Sequence, residues 1–408
     1  MRNKTFYLIG LALLWDVLSI LFLVPVSVDA GSIKIGIIDC YSGPPALYAK
    51  DALNGFKLAV SEINKKTALG KKIEYIARDS KFKVDQALNL AKQLVMRKEV
   101  DVLVGTINSA AALAISEAVA KKQKVPFIVW MSKSERITGE KGHRYVFSSG
   151  ENTAMAGKAA GIALSKKPYI KYWVAGDHYE YGHAMADAAW RNLRKMKPEV
   201  TVIGKSWWKP GEPDLIPYIT SILEAKPEAA IFCTGAPSMT NVMKAIKTTD
   251  MAQKVPIWIH TATDHTMLKP LNAEAPEGVL GTTDYHFYHP DIRTNKEFVA
   301  AFRAAYGNPP GSAAFHGYIT AHFIAEAFKK AGAANKEKFI DALEGLKIES
   351  PIGPIEMRAC DHQAALPVFL GKTKRSAKYG FVISSNIVTF RGDDVMPTCE
   401  EIMAARMK

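Results

Sequence analysis

The sequence predicts an α/β protein with two lobes, each a parallel sheet flanked by helices, and a ligand cleft between them. Three observations indicate this architecture. Apolar strands alternate with amphipathic helices from Ile33 onward, a pattern typical of parallel sheets with right-handed crossovers. A second series of the same kind begins at Thr153. The 408 residues suffice for two sizeable cores, and their 48% hydrophobic and 23% charged content is that of a globular protein.

The first 30 residues are predicted to be a signal peptide. Arg2 and Lys4 precede a largely apolar run, and Val28-Asp29-Ala30 offers small residues at the two positions that a signal peptidase reads. Asp16 lies inside the run, and a carboxylate at mid-bilayer costs about 2.5–3.5 kcal/mol on insertion scales. The run is longer than usual, which leaves an uncleaved anchor open as an alternative. We expect a soluble, exported protein that begins at Gly31.

The first series of elements is predicted from periodicity. Its strands are expected at 33–39, 72–77, 100–104, 125–131 and 145–149, and its helices at 52–63, 84–97 and from 110 onward. The second series is expected to have strands at 169–175, 200–207, 229–233 and 255–260, and helices at 154–165, 183–196, 215–224 and 237–248.

The chain is then predicted to cross back near 281–289. Three helices follow at 295–306, 313–331 and 336–346, and a terminal pair of strands at 351–358 and 368–373. We expect residues 31–150 and 285–350 to form the first lobe, and residues 151–284 and 351–408 to form the second. Two such lobes joined by more than one crossing make a hinged cleft that closes around a small molecule.

One strand-to-helix corner is a candidate ligand site. The apolar strand ends at Gly105, and Asn108 and Ser109 stand where the N-cap of the next helix belongs. Ligands of open α/β sheets bind at the carboxyl ends of strands. Free N–H groups and the positive end of a helix dipole attract a carboxylate there. An ordinary turn with a capping serine is the alternative.

Several short motifs are weak singly, but their order and spacing are specific together. They are Ile35-Gly36-Ile37, Ser42-Gly43-Pro44, Tyr48, Asn54-Gly55-Phe56, residues 100–109, Tyr181-Gly182 and residues 358–363. With them the chain resembles the type I periplasmic substrate-binding proteins of ABC importers, the group that includes the leucine/isoleucine/valine-binding proteins. The resemblance covers nearly the whole mature chain. It implies a periplasmic, non-enzymatic monomer without a cofactor, which delivers a small ligand to a membrane ABC permease.

The resemblance also implies which first-lobe residues bind the ligand. In amino-acid-binding members the first lobe holds the ligand carboxylate with a serine at the helix corner, and with a backbone group and a hydroxyl on the loop after the next strand. These positions correspond to Ser109, Ser132 and Ser134. Tyr48 and Tyr181 match aromatic positions that line the cleft from the two lobes.

The second lobe departs from the amino-acid-binding pattern. The acidic residue that meets a ligand ammonium corresponds to Thr261 here, and Asp264 is the nearby acid that could replace it. An unpaired buried ammonium would cost several kcal/mol (~3–5). An organic acid without an ammonium group is therefore the alternative to a branched-chain amino acid, and Trp130 is expected to contribute an apolar wall for it.

The four cysteines lack the spacing of a zinc ribbon or a redox pair. Export permits a disulfide, and Cys360 with Cys399 is the expected pair. Cys40 and Cys233 each follow an apolar strand and are expected to be small core residues.

Other functions are weighed against this interpretation. Clustered histidines raise metal binding as an alternative. They are His178, His183, His260, His265, His286 and His289. A hydrolase using Asp177, Glu180 and Asp264 is a further alternative, although nucleophile-elbow, P-loop and dinucleotide motifs are missing from the sequence. The formal charge of +13 comes largely from scattered lysine pairs, which argues against nucleic acid as a partner.

Overall fold

The computed structural model describes residues 31–66, 70–332 and 335–407. The predicted signal peptide, residues 1–30, lies outside the described residues. Within the described ranges, no helix combines the length and the apolar character needed to cross a membrane.

Fourteen strands are present in the described part of the chain. They are β1 Ile33–Asp39, β2 Ile73–Asp79, β3 Val102–Gly105, β4 Phe127–Val129, β5 Val146–Ser148, β6 Lys171–Asp177, β7 Thr201–Trp208, β8 Ala229–Cys233, β9 Ile257–His260, β10 Leu280–Thr283, β11 Lys347–Ser350, β12 Gly353–Glu356, β13 Val368–Arg375 and β14 Val382–Phe390.

The helices follow the predicted alternation. They are α1 Ala46–Lys65, α2 Val84–Lys98, α3 Ser109–Ile115, α4 Lys121–Gln123, α5 Thr153–Ser165, α6 Glu180–Met196, α7 Ile216–Glu224, α8 Ala236–Thr248, α9 Met251–Lys254, α10 His265–Leu271, α11 Arg293–Tyr306, α12 Ser312–Ala331, α13 Lys336–Leu343, α14 Gly392–Val395 and α15 Cys399–Arg406. A π-turn at Ser116–Ala120 joins α3 to α4. A 3₁₀ turn at Asn272–Glu274 follows α10.

Five strands form a parallel sheet in the order β2-β1-β3-β4-β5. We call this sheet and the helices packed on it the first lobe. Strands β3 and β4 are apolar throughout and buried, as a parallel sheet covered on both faces requires.

Seven strands form the second sheet, in the order β14-β13-β10-β9-β8-β6-β7. We call this sheet and its helices the second lobe. Strands β6 to β10 run parallel, whereas β13 pairs antiparallel with both β10 and β14. The predicted two-lobe α/β class is thus confirmed. The residue limits predicted for each lobe stay a prediction.

The predicted pairing of segment 351–358 with 368–373 is wrong. Strand β12 pairs with β11 in a small hairpin, and β13 joins the second sheet between β10 and β14. The sequence analysis missed β10, β11 and β14. Strand β10 is only four residues long and ends in threonines, and β14 alternates buried and exposed positions on an edge.

Helices α1 and α12 pack very closely in the first lobe. A Cβ atom on Gly55 would overlap the carbonyl of Ala314, and one on Gly317 would overlap the carbonyl of Ala52. These two glycines therefore permit the close approach. The approach fixes the position of α12, which supplies a buried histidine to the site.

The predicted disulfide between Cys360 and Cys399 is present, with Cα atoms 5.8 Å apart. It ties the start of α15 to the segment that follows the small hairpin. Arg406, at the end of α15, donates hydrogen bonds to the carbonyl oxygens of Thr138 and Gly139 in the first lobe. Cys40 and Cys233 are buried free thiols, as predicted.

Candidate functional site

A small cavity of about 40 Å³ lies where strand ends of the two sheets meet. Its lining comes from α1, from the loops after β3, β4 and β9, and from the starts of α6, α8 and α12. The lining residues are Tyr48, Ile107, Met131, Lys133, Tyr179, Tyr181, Gly235, Ala236, His260, Thr261 and Ser312. This is the place at which open α/β sheets bind ligands.

We call Ser109, Ser132 and Ser134 the serine corner. Asn108, not Ser109, caps α3, because its side chain accepts a hydrogen bond from the amide of Ala111. The hydroxyl of Ser109 is fully buried and accepts long hydrogen bonds from the amides of Lys133 and Ser134, at 3.3 and 3.4 Å. Ser109 therefore positions the loop after β4.

The other two hydroxyls of the serine corner are used inside the protein. Ser132 donates to the carbonyl oxygen of Thr106 at 2.5 Å. Ser134 donates to Glu180 at 2.7 Å, and Glu180 also pairs with Arg136. None of these three serines is among the residues that line the cavity, and their hydroxyls hold neighbouring loops, so their ligand-binding role stays a prediction.

Trp130 lies in the core. Its indole N–H donates to Asp39 at 2.6 Å, and its ring packs edge-on against Phe56. Asp39 also accepts hydrogen bonds from the amides of Cys40 and Ile107, and burial raises its pKa to about 6. Trp130 does not supply the expected apolar wall, because it is fully buried and does not line the cavity.

Tyr48, Tyr181 and Thr261 all line the cavity, so the structure brings these three predicted residues together. The hydroxyl of Tyr48 is buried and has no hydrogen-bond partner among the described residues. The hydroxyl of Thr261 donates to the carbonyl oxygen of His260 at 2.7 Å.

Asp264 does not line the cavity. Its side chain caps α10 by accepting from the amide of Thr266 at 2.9 Å, and it also accepts the hydroxyl of Ser312. Both carboxylate oxygens are therefore engaged in holding α10 and α12. Among the side chains of the described residues that line the cavity, none is a carboxylate.

Sequence reasoning missed the main charged residues of the site. Lys133 lines the cavity and forms a buried salt bridge with Glu151, which is 1% exposed. The other oxygen of Glu151 lies 3.1 Å from Nε2 of His260. Nδ1 of His260 lies 2.7 Å from the hydroxyl of Tyr181. Glu151 thus links a first-lobe lysine to a second-lobe histidine.

Two further buried groups complete this arrangement. His316 on α12 lies 2.5 Å from Asp284, which follows β10, and 3.5 Å from Glu151. We call Lys133, Glu151, His260, Asp284 and His316 the charged cluster. Every member is buried, so each charge must be compensated within the cluster.

The protonation equilibria of the cluster reflect that compensation. Burial alone would raise the pKa of Glu151, but the Lys133 ammonium and hydrogen bonds from neighbouring side chains hold it well below its usual range. Burial opposes a charge on His316, yet the carboxylate of Asp284 raises the pKa of His316. Burial and the nearby Glu151 raise the pKa of Asp284. The lowered pKa of Glu151 favours its ionised form, and Asp284 and His316 lie within hydrogen-bonding distance of each other.

The six histidines of the metal-binding alternative do not form one centre. Within the described residues, the group arranged so that it could hold a metal ion is Glu151, Asp284 and His316, which contains none of the six. The Lys133 ammonium contacts the same Glu151 oxygen that lies near His316. That ammonium already supplies the positive charge that a metal ion would bring.

Protein groups already engage the carboxylates of the hydrolase alternative. Asp177 accepts from Thr234, from Ser238 and from the amide of Gly235, whereas Glu180 pairs with Arg136. Burial raises the pKa of Asp177 to about 6. Each of these acids has a structural role in positioning the start of a helix.

One signal in the sequence could have revealed the charged cluster. Lys133, Glu151 and Asp284 each follow a buried strand within a few residues, and His260 is the last residue of β9, at the edge where the cavity forms. Charged or titratable residues at that position are candidates for a binding site.

Comparisons with known proteins agree with this fold. The profile of the family described as "Periplasmic binding protein" matches residues 32–378. A Leucine-, isoleucine-, valine-, threonine-, and alanine-binding protein of Pseudomonas aeruginosa is 24% identical over 329 residues, covering 80% of this chain and 86% of the relative.

Two solved structures share the fold. A solute binding protein of an ABC transporter from Rhodopseudomonas palustris BisB5, in complex with 3,4-dihydroxy benzoic acid, is 25% identical with a TM-score of 0.80, and the match covers 90% of this chain and 99% of that one. A periplasmic binding protein from Burkholderia mallei is 21% identical with a TM-score of 0.81, and covers 92% and 99%.

These matches define the class of the protein as a solute-binding protein. The chain belongs to the periplasmic binding protein family.

Proposed function

We propose that the protein captures a small carboxylate-bearing solute in the periplasm and delivers it to the membrane permease of an ABC importer. The proposal includes export through residues 1–30, action as a monomer and no catalysis. The proposal assigns no nucleic-acid partner to the protein. The R. palustris relative is named as an ABC transporter protein, and its match covers 99% of that chain, which supports the importer role.

One observation carries the ligand class. The cavity has a cation in its lining, Lys133, and no carboxylate among its described lining residues. An ammonium has three donors, and among the described residues Glu151 accepts a hydrogen bond from the Lys133 ammonium. The remaining donors are available to a ligand carboxylate, and the buried site strengthens the attraction.

The same observation favours an organic acid over an amino acid. A ligand ammonium would need a carboxylate partner in the cavity, and Glu151 is already engaged by Lys133 and His260. A buried charge without a partner is strongly disfavoured. The second candidate is a branched-chain amino acid, which the name of the P. aeruginosa relative favours.

Entry of the ligand requires the lobes to move. The cavity of about 40 Å³ is small, and its lining comes from both lobes. Hinge opening at the crossovers between the lobes would enlarge it, and ligand binding would shift the population to the closed form that a permease recognises.

A thermal-shift experiment on residues 31–408 tests the proposal. Benzoate and 4-methylpentanoate represent aromatic and aliphatic acids, and their amides are matched controls without the negative charge. A ligand at 100 times its dissociation constant adds about 2.7 kcal/mol of stability. We expect acids to stabilise the protein and amides to leave it unchanged. Stabilisation by zinc alone, or by no carboxylate, would overturn the proposal.

A further inference from the structure

Two ion pairs join the lobes beside the cavity. Glu180 on α6 accepts hydrogen bonds from the hydroxyl of Ser134 at 2.7 Å and from the guanidinium of Arg136 at 3.0 Å. Arg191 on the same helix pairs with Glu135 at 2.9 Å. The loop after β4, which belongs to the first lobe, therefore meets α6 of the second lobe through charges of opposite sign.

The geometry of α6 places both of its charged residues against the same loop. The spacing from Glu180 to Arg191 is close to three turns of about 3.6 residues each, so the two side chains share one face of the helix. The loop offers the complementary charges on Glu135 and Arg136, which are adjacent in the sequence. We call Glu135, Arg136, Glu180 and Arg191 the charge latch.

The charge latch adjoins cavity residues in both lobes. Lys133 lies just before Glu135 in the loop, and Tyr181 directly follows Glu180 on α6. Both Lys133 and Tyr181 line the cavity. Contact between the two halves of the latch therefore holds the two walls of the cavity next to each other.

The loop that carries half of the latch is held by other parts of the protein. Arg406 of α15 donates hydrogen bonds to the carbonyl oxygens of Thr138 and Gly139. The amide of Glu135 donates to the hydroxyl of Thr153 at 3.0 Å. Because the loop is already ordered by these contacts, less conformational entropy is lost when its charges meet α6.

We propose that the charge latch consists of positioning residues, which set the ligand affinity of the cavity by holding the two lobes together. The inference rests on the proposed function, because it assumes that a ligand is bound between the lobes. None of the four side chains is among the described residues that line the cavity, so they act through the closed form alone. The apparent affinity falls as the fraction of closed protein falls.

The exposure of the latch makes this effect sensitive to ionic strength. Arg136 is 41% exposed and its partner Glu180 is 19% exposed, whereas Arg191 is 57% exposed and Glu135 is 25% exposed. Dissolved salt screens such pairs. Raising the salt concentration should therefore weaken the hold between the lobes.

Calorimetric titration of residues 31–408 with benzoate tests the proposal. It is done at about 0.01 M and about 1 M sodium chloride, where the Debye length is about 30 Å and about 3 Å. At low salt, we expect Arg136→Gln/Arg191→Gln to bind benzoate about threefold or more weakly than the wild type. At high salt the two affinities should converge, whereas a general effect on folding would persist.

Reversal of the charges supplies a rescue experiment. Glu135→Arg and Arg191→Glu each place like charges opposite one another, so each alone should weaken benzoate binding. The combined Glu135→Arg/Arg191→Glu restores an opposite pair and should bind to within about twofold of the wild type. Arg144→Gln is the matched control, because its pairs with Glu337 and Asp341 lie within the first lobe, and it should bind as the wild type does.

A distance measurement on the ligand-free protein tests the latch without benzoate. Spin labels at Met96→Cys and Met196→Cys report the separation of α2 in the first lobe from α6 in the second. Both positions are exposed, and the native free thiols are buried. We expect pulsed electron paramagnetic resonance to show longer distances when the double arginine variant is introduced.

The outcomes distinguish this inference from the function on which it rests. Equal benzoate affinity in the wild type and the double arginine variant, or a loss that persists at high salt, would overturn the inference and leave the proposed function standing. A combined charge reversal that fails to rescue binding would also overturn the inference. If no carboxylate binds, the proposed function is overturned; longer spin-label distances would then leave the latch standing, and equal distances would overturn it as well.

Discussion

The serine corner and the charged cluster share the loop after β4, and they use their polar atoms differently. In the serine corner, Ser132 and Ser134 donate to protein acceptors and Ser109 accepts from two protein amides. In the charged cluster, Lys133 and His260 line the cavity, and the carboxylate of Glu151 contacts both side chains. From this difference we infer that the serines position the loop after β4, whereas the charged cluster places charged groups beside the cavity.

The largest effect is expected when the cluster loses its cation. Lys133→Met leaves Glu151 buried without its main partner, which typically costs about 3–5 kcal/mol. We expect the free energy of unfolding, measured by urea denaturation, to fall by about this amount, and carboxylate binding to be lost.

An exposed lysine provides the matched control for that variant. Lys121 pairs with Glu117 on the surface, with side chains 53% and 43% exposed. Lys121→Met should change the free energy of unfolding by less than about 1 kcal/mol, because solvent screens exposed pairs. Equal losses in the two variants would contradict the special role given to Lys133.

A smaller effect is expected in the serine corner. Ser109→Ala removes the acceptor for the amides of Lys133 and Ser134, so we expect carboxylate binding measured by calorimetry to weaken by about 1–3 kcal/mol. Ser134→Ala is the internal comparison, since its hydroxyl holds Glu180 and does not line the cavity. Its effect on binding should stay below about 1 kcal/mol. Unchanged affinity in Ser109→Ala would show that the loop keeps its position without this hydroxyl.

The smallest effect concerns pH and a buried acid outside both regions. Burial, with a contribution from Asp264, raises the pKa of Asp51 to about 7. Because the fold favours the protonated form, this group contributes most stability below about pH 4 and loses that contribution as the pH rises to about 7.

The matching variant is Asp51→Asn, which stays neutral across this range. We expect its free energy of unfolding to fall less than that of the wild type between pH 4 and pH 7, as followed by urea denaturation. Asp291 forms an exposed ion pair, and Asp291→Asn should leave the dependence of the unfolding free energy on pH as it is in the wild type. An unaltered slope in Asp51→Asn would mean that Asp51 is ionised throughout.

The sequence predicted the lobes well because each element carries its own periodic signal. Strand 229–233 and helix 84–97, for example, agree with β8 and α2 to within a residue. Strand β11 is only four residues long and β14 lies at the edge of the second sheet, so their pairing could not be derived locally.

The candidate site was predicted less completely, for a physical reason. Tyr48, Tyr181 and Thr261 line the cavity, but Trp130 and Asp264 are held in the interior by Asp39 and Ser312. The charged cluster joins residues more than 180 positions apart, from Lys133 to His316. Such contacts depend on the packing of both sheets and have no local pattern to reveal them.

The most direct test of the account compares two ligands that differ in one group. Leucine and 4-methylpentanoate share a carbon skeleton and a carboxylate, and leucine alone adds an ammonium. The account predicts that calorimetric titration of residues 31–408 gives at least tenfold tighter binding for 4-methylpentanoate, because the cavity offers Lys133 to the carboxylate and no unpaired acid to the ammonium. Tighter binding of leucine would contradict it and would assign an acidic partner to the second lobe.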